Sequence, residues 1–131
     1  MNFLGQTEEV FNFYRVVFGT EFAMPIQRMS DVPARPGVPQ LTEAEKKLVM
    51  HLELPIVGGH ILMGTDALES MGHKLVLGTN VSTSLEPDTR EETKRLFLAL
   101  ADGGKVRWSC RTCSGAPTTA LSPTSSACSG W

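Results

Sequence analysis

Two side chains that can bind a metal ion or move a proton lie two positions apart in the first half of the chain. His51 and Glu53 alternate with Met50, Leu52 and Leu54 in an apolar-rich run. Because alternate residues of a strand point to opposite faces, the imidazole and the carboxylate share one face and the apolar side chains share the other. With the apolar face packed against helices, the pair points to the open face of the sheet, where it could bind a metal or move a proton. The alternative is a solvated or hydrogen-bonded pair without a chemical role.

A second polar face is predicted further along the chain. Residues 80–86 alternate strictly, with polar side chains at Asn80, Ser82 and Ser84 on one side. This alternation is typical of a strand with one wet face. If the strand joins the same sheet, Asn80 and Ser82 share its open face with His51 and its neighbouring glutamate.

The remaining metal-ligating or nucleophilic residue types give weaker signals. Cys110 and Cys113 form a CxxC motif, which can do redox work or supply half a zinc site. Only Cys128 could add a third thiolate, and because short motifs often match by chance we expect neither a metal site nor a disulfide there. His60 borders a Gly-Gly turn and His73 lies in a Gly-rich loop, so both are expected at the surface.

Periodicity predicts two helices that position these residues. Apolar residues recur at helical spacing from position 6 or 7 to Phe18, and Gly19 follows as a stop. A second helix is predicted to begin with Asp88 as its N-cap and to end at Gly103-Gly104. The residues expected on their buried stripes are Val10, Phe13, Tyr14, Val17, Phe18, Leu96, Phe97, Leu100 and Ala101.

Turn residues and alternation predict the strands and loops. The proline-rich residues 29–41 indicate a loop, 42–45 form a capping box for one helical turn, and Gly58-Gly59 indicates a hairpin turn. The predicted strands are 21–26, 49–56, 60–64, 80–86 and one that begins at Lys105.

Composition restricts the function classes. The chain has 131 residues, 41% hydrophobic and 20% charged, with a net charge of -2, which is typical of a single globular domain. No apolar run approaches the roughly 20 residues needed to cross a bilayer, and the first residues do not resemble a signal peptide. We therefore expect a cytoplasmic protein without a membrane segment. The acidic balance argues against nucleic acid as its main partner.

Six motifs occur in a fixed order along residues 2–106. They are GQTEEVFNFY at 5–14, VFGTEF at 17–22, LPIVGG at 54–59, LMGTDA at 62–67, SLEP at 84–87 and GGKV at 103–106. In sequence and spacing this region resembles the PhnB-like branch of the vicinal-oxygen-chelate superfamily, which also contains glyoxalase, bleomycin-resistance proteins and extradiol dioxygenases. The predicted element order independently suggests a duplicated βαβββ unit.

The resemblance implies an α+β fold in which paired βαβββ modules form a cupped sheet, as in glyoxalase and bleomycin-resistance proteins. The concave face of such a sheet holds a small molecule, commonly with a divalent metal, and the proteins are usually homodimers. Residues 1–106 then form the domain, with the first module at 1–64 and its N-terminal strand truncated. The start of a second, incomplete module lies at 80–106.

Residues 107–131 depart from the resemblance. Relatives have there a stretch resembling VELPDMFWGAYYGSFTDKFGVQWM, whereas this chain has six Ser and four Thr and few large apolar residues. Reading codons for 107–131 two bases later allows synonymous choices that produce the whole stretch. We therefore interpret this tail as out of frame after a one-base deletion near codon 107, in the gene or in the sequencing read. We expect it not to complete the sheet; a genuine divergent tail is the alternative.

The superfamily's metal positions carry poor ligands in this chain. One falls on Met63 and another on Asn80, and thioether and amide groups suit a hard divalent ion badly. We therefore expect no cofactor, with a divalent metal left open, and a small-molecule ligand as partner. The candidate ligand-binding residues are His51, Glu53, Met63, Asn80 and Ser82. Whether the protein is an enzyme, and its catalytic residues, are left open; a metal-dependent glyoxalase or dioxygenase-type enzyme is the alternative function.

Overall fold

The structure is a computed structural model that describes residues 1–33, 40–76, 78, 83–102 and 104. These belong to two units, Met1–Leu77 and Gly78–Trp131. The elements of the first unit are β1 (Asn2–Phe3), α1 (Thr7–Phe18), β2 (Gln27–Arg28), α2 (Glu43–Lys46), β3 (Val49–Pro55) and β4 (Ile61–Asp66). The described part of the second unit contains α3 (Arg90–Ala101). Among the described residues, no helix has the length and apolar character that crossing a membrane requires.

The four strands of the first unit form one mixed sheet in the order β1-β4-β3-β2. β1 is parallel to β4, whereas β4 with β3 and β3 with β2 are antiparallel. β3 and β4 form the predicted hairpin, and the turn contains Gly58 and Gly59 with positive φ of 69° and 74°. Side chains rarely adopt this backbone conformation, so glycine is required there. The predicted α+β fold is confirmed.

Helix ends in the first unit follow their sequence signals. α1 runs from Thr7 to Phe18 and ends at Gly19, whose φ of 65° is left-handed. In α2 the Thr42 hydroxyl accepts a hydrogen bond from the Glu45 backbone, and the Glu45 carboxylate accepts one from the Thr42 backbone. The predicted capping box is therefore confirmed.

The buried stripe of α1 differs from the predicted one. Phe11 is fully buried, whereas Phe13, which was expected in the core, is only half-buried. The ring of Phe11 meets Tyr14 edge-on with centroids 5.8 Å apart. A helical spacing fits both phenylalanines, and only the way the helix sits on the sheet selects Phe11. The buried residues of α1 are Thr7, Val10, Phe11 and Val17.

The core of the first unit lies between α1 and the sheet. Leu52 and Leu54 of β3 are fully buried in one cluster with Phe11 and Val49. Gly64 of β4 lies directly under the helix, because a Cβ at this position would lie 2.5 Å from a ring carbon of Phe11. Helix and sheet therefore approach as closely as the absence of a side chain allows.

The prediction of a strand at 21–26 is wrong. The segment has no regular strand, and β2 is instead the pair Gln27–Arg28. The backbone of residues 21–26 makes one hydrogen bond to β3, in which the Ala23 N–H donates to the Glu53 carbonyl at 3.0 Å. Pro25 lacks an N–H and interrupts a ladder, which explains why strand pairing resumes only after it.

The described part of the second unit corrects two further predictions. Residues 83–86 form no strand, although the rest of that predicted strand, 79–82, lies outside the described residues. The N-cap of α3 is Thr89 rather than Asp88, since the Thr89 hydroxyl accepts from the Glu92 backbone at 3.2 Å. The strand predicted to begin at 105 and the tail 107–131 also lie outside the described residues.

A buried carboxylate connects three segments of the first unit. Asp66 is 3% exposed. Its oxygens accept hydrogen bonds from the backbone of Gly5 (3.0 Å), Thr7 (3.2 Å) and Val49 (2.9 Å), and from the Thr7 hydroxyl (2.5 Å). The N-cap residue of α1, Gln6, makes no capping bond with its own side chain. Asp66 therefore caps α1 from β4, where the helix dipole favours a negative charge.

We predict that Asp66→Asn lowers the free energy of unfolding by about 3 kcal/mol, because an amide NH₂ would replace one acceptor among buried N–H donors. Urea denaturation measures the change. Asp31→Asn is the matched control: its exposed carboxylate accepts from the Arg28 backbone at 2.8 Å, and the loss should be about 1 kcal/mol or less. Equal losses for the two variants would contradict the bridging role of Asp66.

Candidate functional site on the outer face of the sheet

The hairpin of β3 and β4 has one face toward α1 and one face away from it. We call the second the outer face. Alternation along the strands places on it His51, Glu53 and Pro55 from β3 and Ile61, Met63 and Thr65 from β4. Glu53 lies directly opposite Met63 in the register of the two strands. Leu52 and Leu54 occupy the face toward α1, as the sequence predicted.

A bulge determines which residues of β3 face outward. Gln27 pairs with His51, but the next residue, Arg28, pairs with Val49. β3 thus has one extra residue, Met50, at this point, which reverses the alternation. Val49 is consequently buried with the core rather than on the side of His51. Gln27 comes to lie beside His51 on the outer face, which no pattern in the sequence indicated.

The polar pair on the outer face is in direct contact. His51 Nε2 and Glu53 Oε1 are 3.0 Å apart, and their side chains are 33% and 25% exposed. The neighbouring apolar side chains of Met63 and Ile61 are 52% and 48% exposed. The first unit therefore presents a hydrogen-bonding pair beside uncovered apolar surface, which suits a ligand with one polar group and an apolar body.

The structure brings together three of the five predicted ligand-binding residues. His51, Glu53 and Met63 lie on adjacent strands of the outer face. Asn80 and Ser82 lie outside the described residues. Alternation placed His51 and Glu53 on one face, whereas Met63 was named because the family resemblance puts a metal position of the superfamily there.

No metal cluster is found in the part of the chain that the structure describes: no three His, Cys, Asp or Glu side chains there lie close enough to hold an ion. His60 and His73 are exposed, as predicted. The three cysteines, Cys110, Cys113 and Cys128, lie outside the described residues. Among the described residues, His51 and Glu53 are the two side chains of these types on the outer face.

A depression near α2 has charged lining residues, and most of them form ion pairs. Its lining residues are Arg28, Ser30, Glu43, Lys46 and Lys47. Lys46 pairs with Glu43 at 2.6 Å, and Arg28 pairs with Glu8 at 2.8 Å. Because two of its three cations are neutralised, the depression has little excess charge with which to attract an anion.

Two solved structures are similar to this chain over most of its length. Protein PA1353 from Pseudomonas aeruginosa is 29% identical, with a TM-score of 0.62 over 83% of this chain and 74% of that one. The PhnB protein from Bacillus cereus, described as a candidate 3-demethylubiquinone-9 3-methyltransferase, is 24% identical, with a TM-score of 0.57 over 83% and 75%. The chain has a PhnB-like fold. No family model and no curated protein matches the sequence. The PhnB-like fold agrees, at the level of architecture, with the resemblance carried by the motifs.

We predict that the outer-face pair is dispensable for stability. His51→Ala and Glu53→Gln should each change the free energy of unfolding by less than about 1 kcal/mol, since both side chains are partly exposed. Leu52→Ala, between them on the opposite face, should cost about 2–5 kcal/mol. Chemical denaturation of the three variants measures this, and a cost for His51→Ala as large as that of Leu52→Ala would show the face assignment to be wrong.

Proposed function

We propose that this protein binds a small molecule on the outer face of its sheet, through His51, Glu53 and Met63. The observation that carries the proposal is the His51–Glu53 pair, 3.0 Å apart beside the half-exposed Met63. These side chains do not contribute to the described core. Polar groups beside apolar surface are typical of ligand sites, where the polar groups orient and the apolar surface binds.

The proposed site extends to Asn80 and Ser82 on the sequence pattern alone. Both residues are therefore included in the experiment that tests it. The metal-dependent glyoxalase or dioxygenase-type alternative rests on the family resemblance, and no observation in the described residues favours it over metal-free binding.

We predict that small aromatic fragments bind the outer face and shift the NMR signal of the Met63 methyl group. Met63→Glu should weaken their binding about tenfold or more, because a charge replaces apolar contact surface. Met71, an exposed methionine in the helical turn Glu69–Met71, is the matched control whose methyl signal should not move. Asn80→Ala and Ser82→Ala are measured alongside.

Fragments that move Met71 and leave Met63 unchanged would place the site elsewhere. The absence of any fragment that moves Met63 would contradict the proposed function itself.

We further propose that the PhnB-like fold of this chain is built from βαβββ modules. The chain order β1-α1-β2-α2-β3-β4, in which α2 is a single helical turn, and the sheet order β1-β4-β3-β2 of the first unit support this for 1–64. A second module at 80–106, a homodimer and a cytoplasmic location stay predictions. We also propose that 107–131 is read out of frame, on the support of the codon argument alone.

We predict that one base is missing near codon 107, either from the gene itself or from the sequencing read that gave this sequence. Inserting one base there should restore a reading frame that encodes a stretch resembling VELPDMFWGAYYGSF. Resequencing the gene and translating the shifted frame measures this directly. A gene whose shifted frame contains stop codons or an unrelated sequence would show that 107–131 is a genuine divergent tail.

A further inference from the structure

His51 has one ring nitrogen engaged and one open. Nε2 lies 3.0 Å from Glu53 Oε1, and Nδ1 makes no hydrogen bond with any described residue. An ionised carboxylate can only accept a hydrogen bond, so with Glu53 ionised Nε2 carries the hydrogen of this contact. In the neutral form of the imidazole, which has only one N–H, Nδ1 then keeps its lone pair. Glu53 in this way selects the tautomer whose unshared nitrogen is an acceptor.

The charge of the outer face restricts which ligands can donate a hydrogen bond to His51 Nδ1. The β3 and β4 residues of the outer face include no Lys or Arg, and their one acidic side chain is Glu53. A ligand that is already an anion would be repelled by the Glu53 carboxylate. A neutral ligand that carries a hydroxyl meets no such repulsion and can donate to Nδ1.

The apolar neighbours restrict the rest of the ligand. Met63 and Ile61 are each about half exposed, at 52% and 48%. A methionine sulfur packs favourably against aromatic rings, and an isoleucine adds apolar contact area. A planar ring that bears the hydroxyl would therefore contact Met63 and Ile61 while its hydroxyl donates to His51.

We propose that the ligand is a weakly acidic hydroxyl compound of the phenol or enol class, and that His51 Nδ1 accepts its proton while Glu53 acts as the positioning residue. The inference rests on the proposed function and deepens it. The ligand O–H bond breaks, its electron pair stays on the oxygen, and an Nδ1–H bond forms. The product is an imidazolium that lies between the Glu53 carboxylate and the new oxyanion, and both interactions are charge-assisted hydrogen bonds.

The tautomer is tested first, on the full chain without ligand. Long-range proton–nitrogen NMR correlations distinguish protonated from unprotonated ring nitrogens. We expect His51 to carry its hydrogen on Nε2 and the Glu53→Gln variant to show a mixture of tautomers. His60, an exposed imidazole at the end of the same hairpin turn, should be unaffected by the substitution. A wild-type His51 protonated on Nδ1, or a spectrum unchanged in Glu53→Gln, would overturn the inference.

Proton transfer is tested with para-nitrophenol, which ionises near neutral pH and whose anion absorbs visible light. At a pH where the free probe is mainly neutral, wild-type protein should increase the phenolate absorbance. His51→Ala and Glu53→Gln should remove most of this increase, and His60→Ala should keep it. The methyl ether para-nitroanisole, which has no proton to donate, should bind about tenfold more weakly than the phenol.

The outcomes separate this inference from the proposed function. Equal binding of phenol and ether, without phenolate absorbance, overturns the inference while Met63 methyl shifts would still support the site. Failure of both probes to bind also overturns the inference. The proposed function fails separately, if no fragment of any class moves the Met63 signal.

Discussion

A carboxylate that leaves water loses hydration worth several kcal/mol unless protein donors replace it. In this protein the replacement comes from three separate segments, because Asp66 of β4 accepts from Gly5, Thr7 and Val49. These donors lie in the loop before α1, in the first turn of α1 and at the start of β3. The full set of hydrogen bonds forms only when all three segments take their places around β4. The desolvated charge therefore makes the positions of helix and hairpin depend on each other.

With α1 held over β4, the rest of the first unit follows from close packing. The helix lies on Gly64, where no side chain separates it from the sheet, and Phe11 is buried in one cluster with Leu52 and Leu54. This arrangement uses the face of the hairpin that carries the aliphatic residues of β3. The opposite face is left with His51 and Glu53, which contact each other instead of the core.

The outer face carries His51 and Glu53 because the face toward α1 excludes polar side chains that lack hydrogen-bond partners. A histidine and a glutamate cannot be buried beneath α1 without donors such as those around Asp66, so they belong on the side open to a ligand. The bulge at Met50 lets Val49 return to the core while His51 stays outward. The core residues and the proposed binding residues therefore lie on opposite faces of the same strand, so that a change in the outer residues need not disturb the core.

The sequence by itself determined the elements whose signals are local. Helix α1 with its stop at Gly19, the capping box at Thr42 and the hairpin around Gly58 all depend on residues within a few positions of each other. The alternation in β3 likewise assigned His51 and Glu53 to one face before any fold was known. The PhnB-like architecture was also accessible, because its motifs keep their order and spacing along the chain.

Only the tertiary structure decided how these elements meet. The choice of Phe11 over Phe13 for the core depends on the orientation of α1 on the sheet, and the bulge opposite Gln27 and Arg28 depends on their pairing with β3. The role of Asp66 was hidden for the same reason, since its partners lie 17 to 61 positions away in sequence. Hydrogen bonds over such separations leave no periodic pattern. Asp66 therefore meets the loop before α1, the first turn of α1 and the start of β3 only in the folded chain.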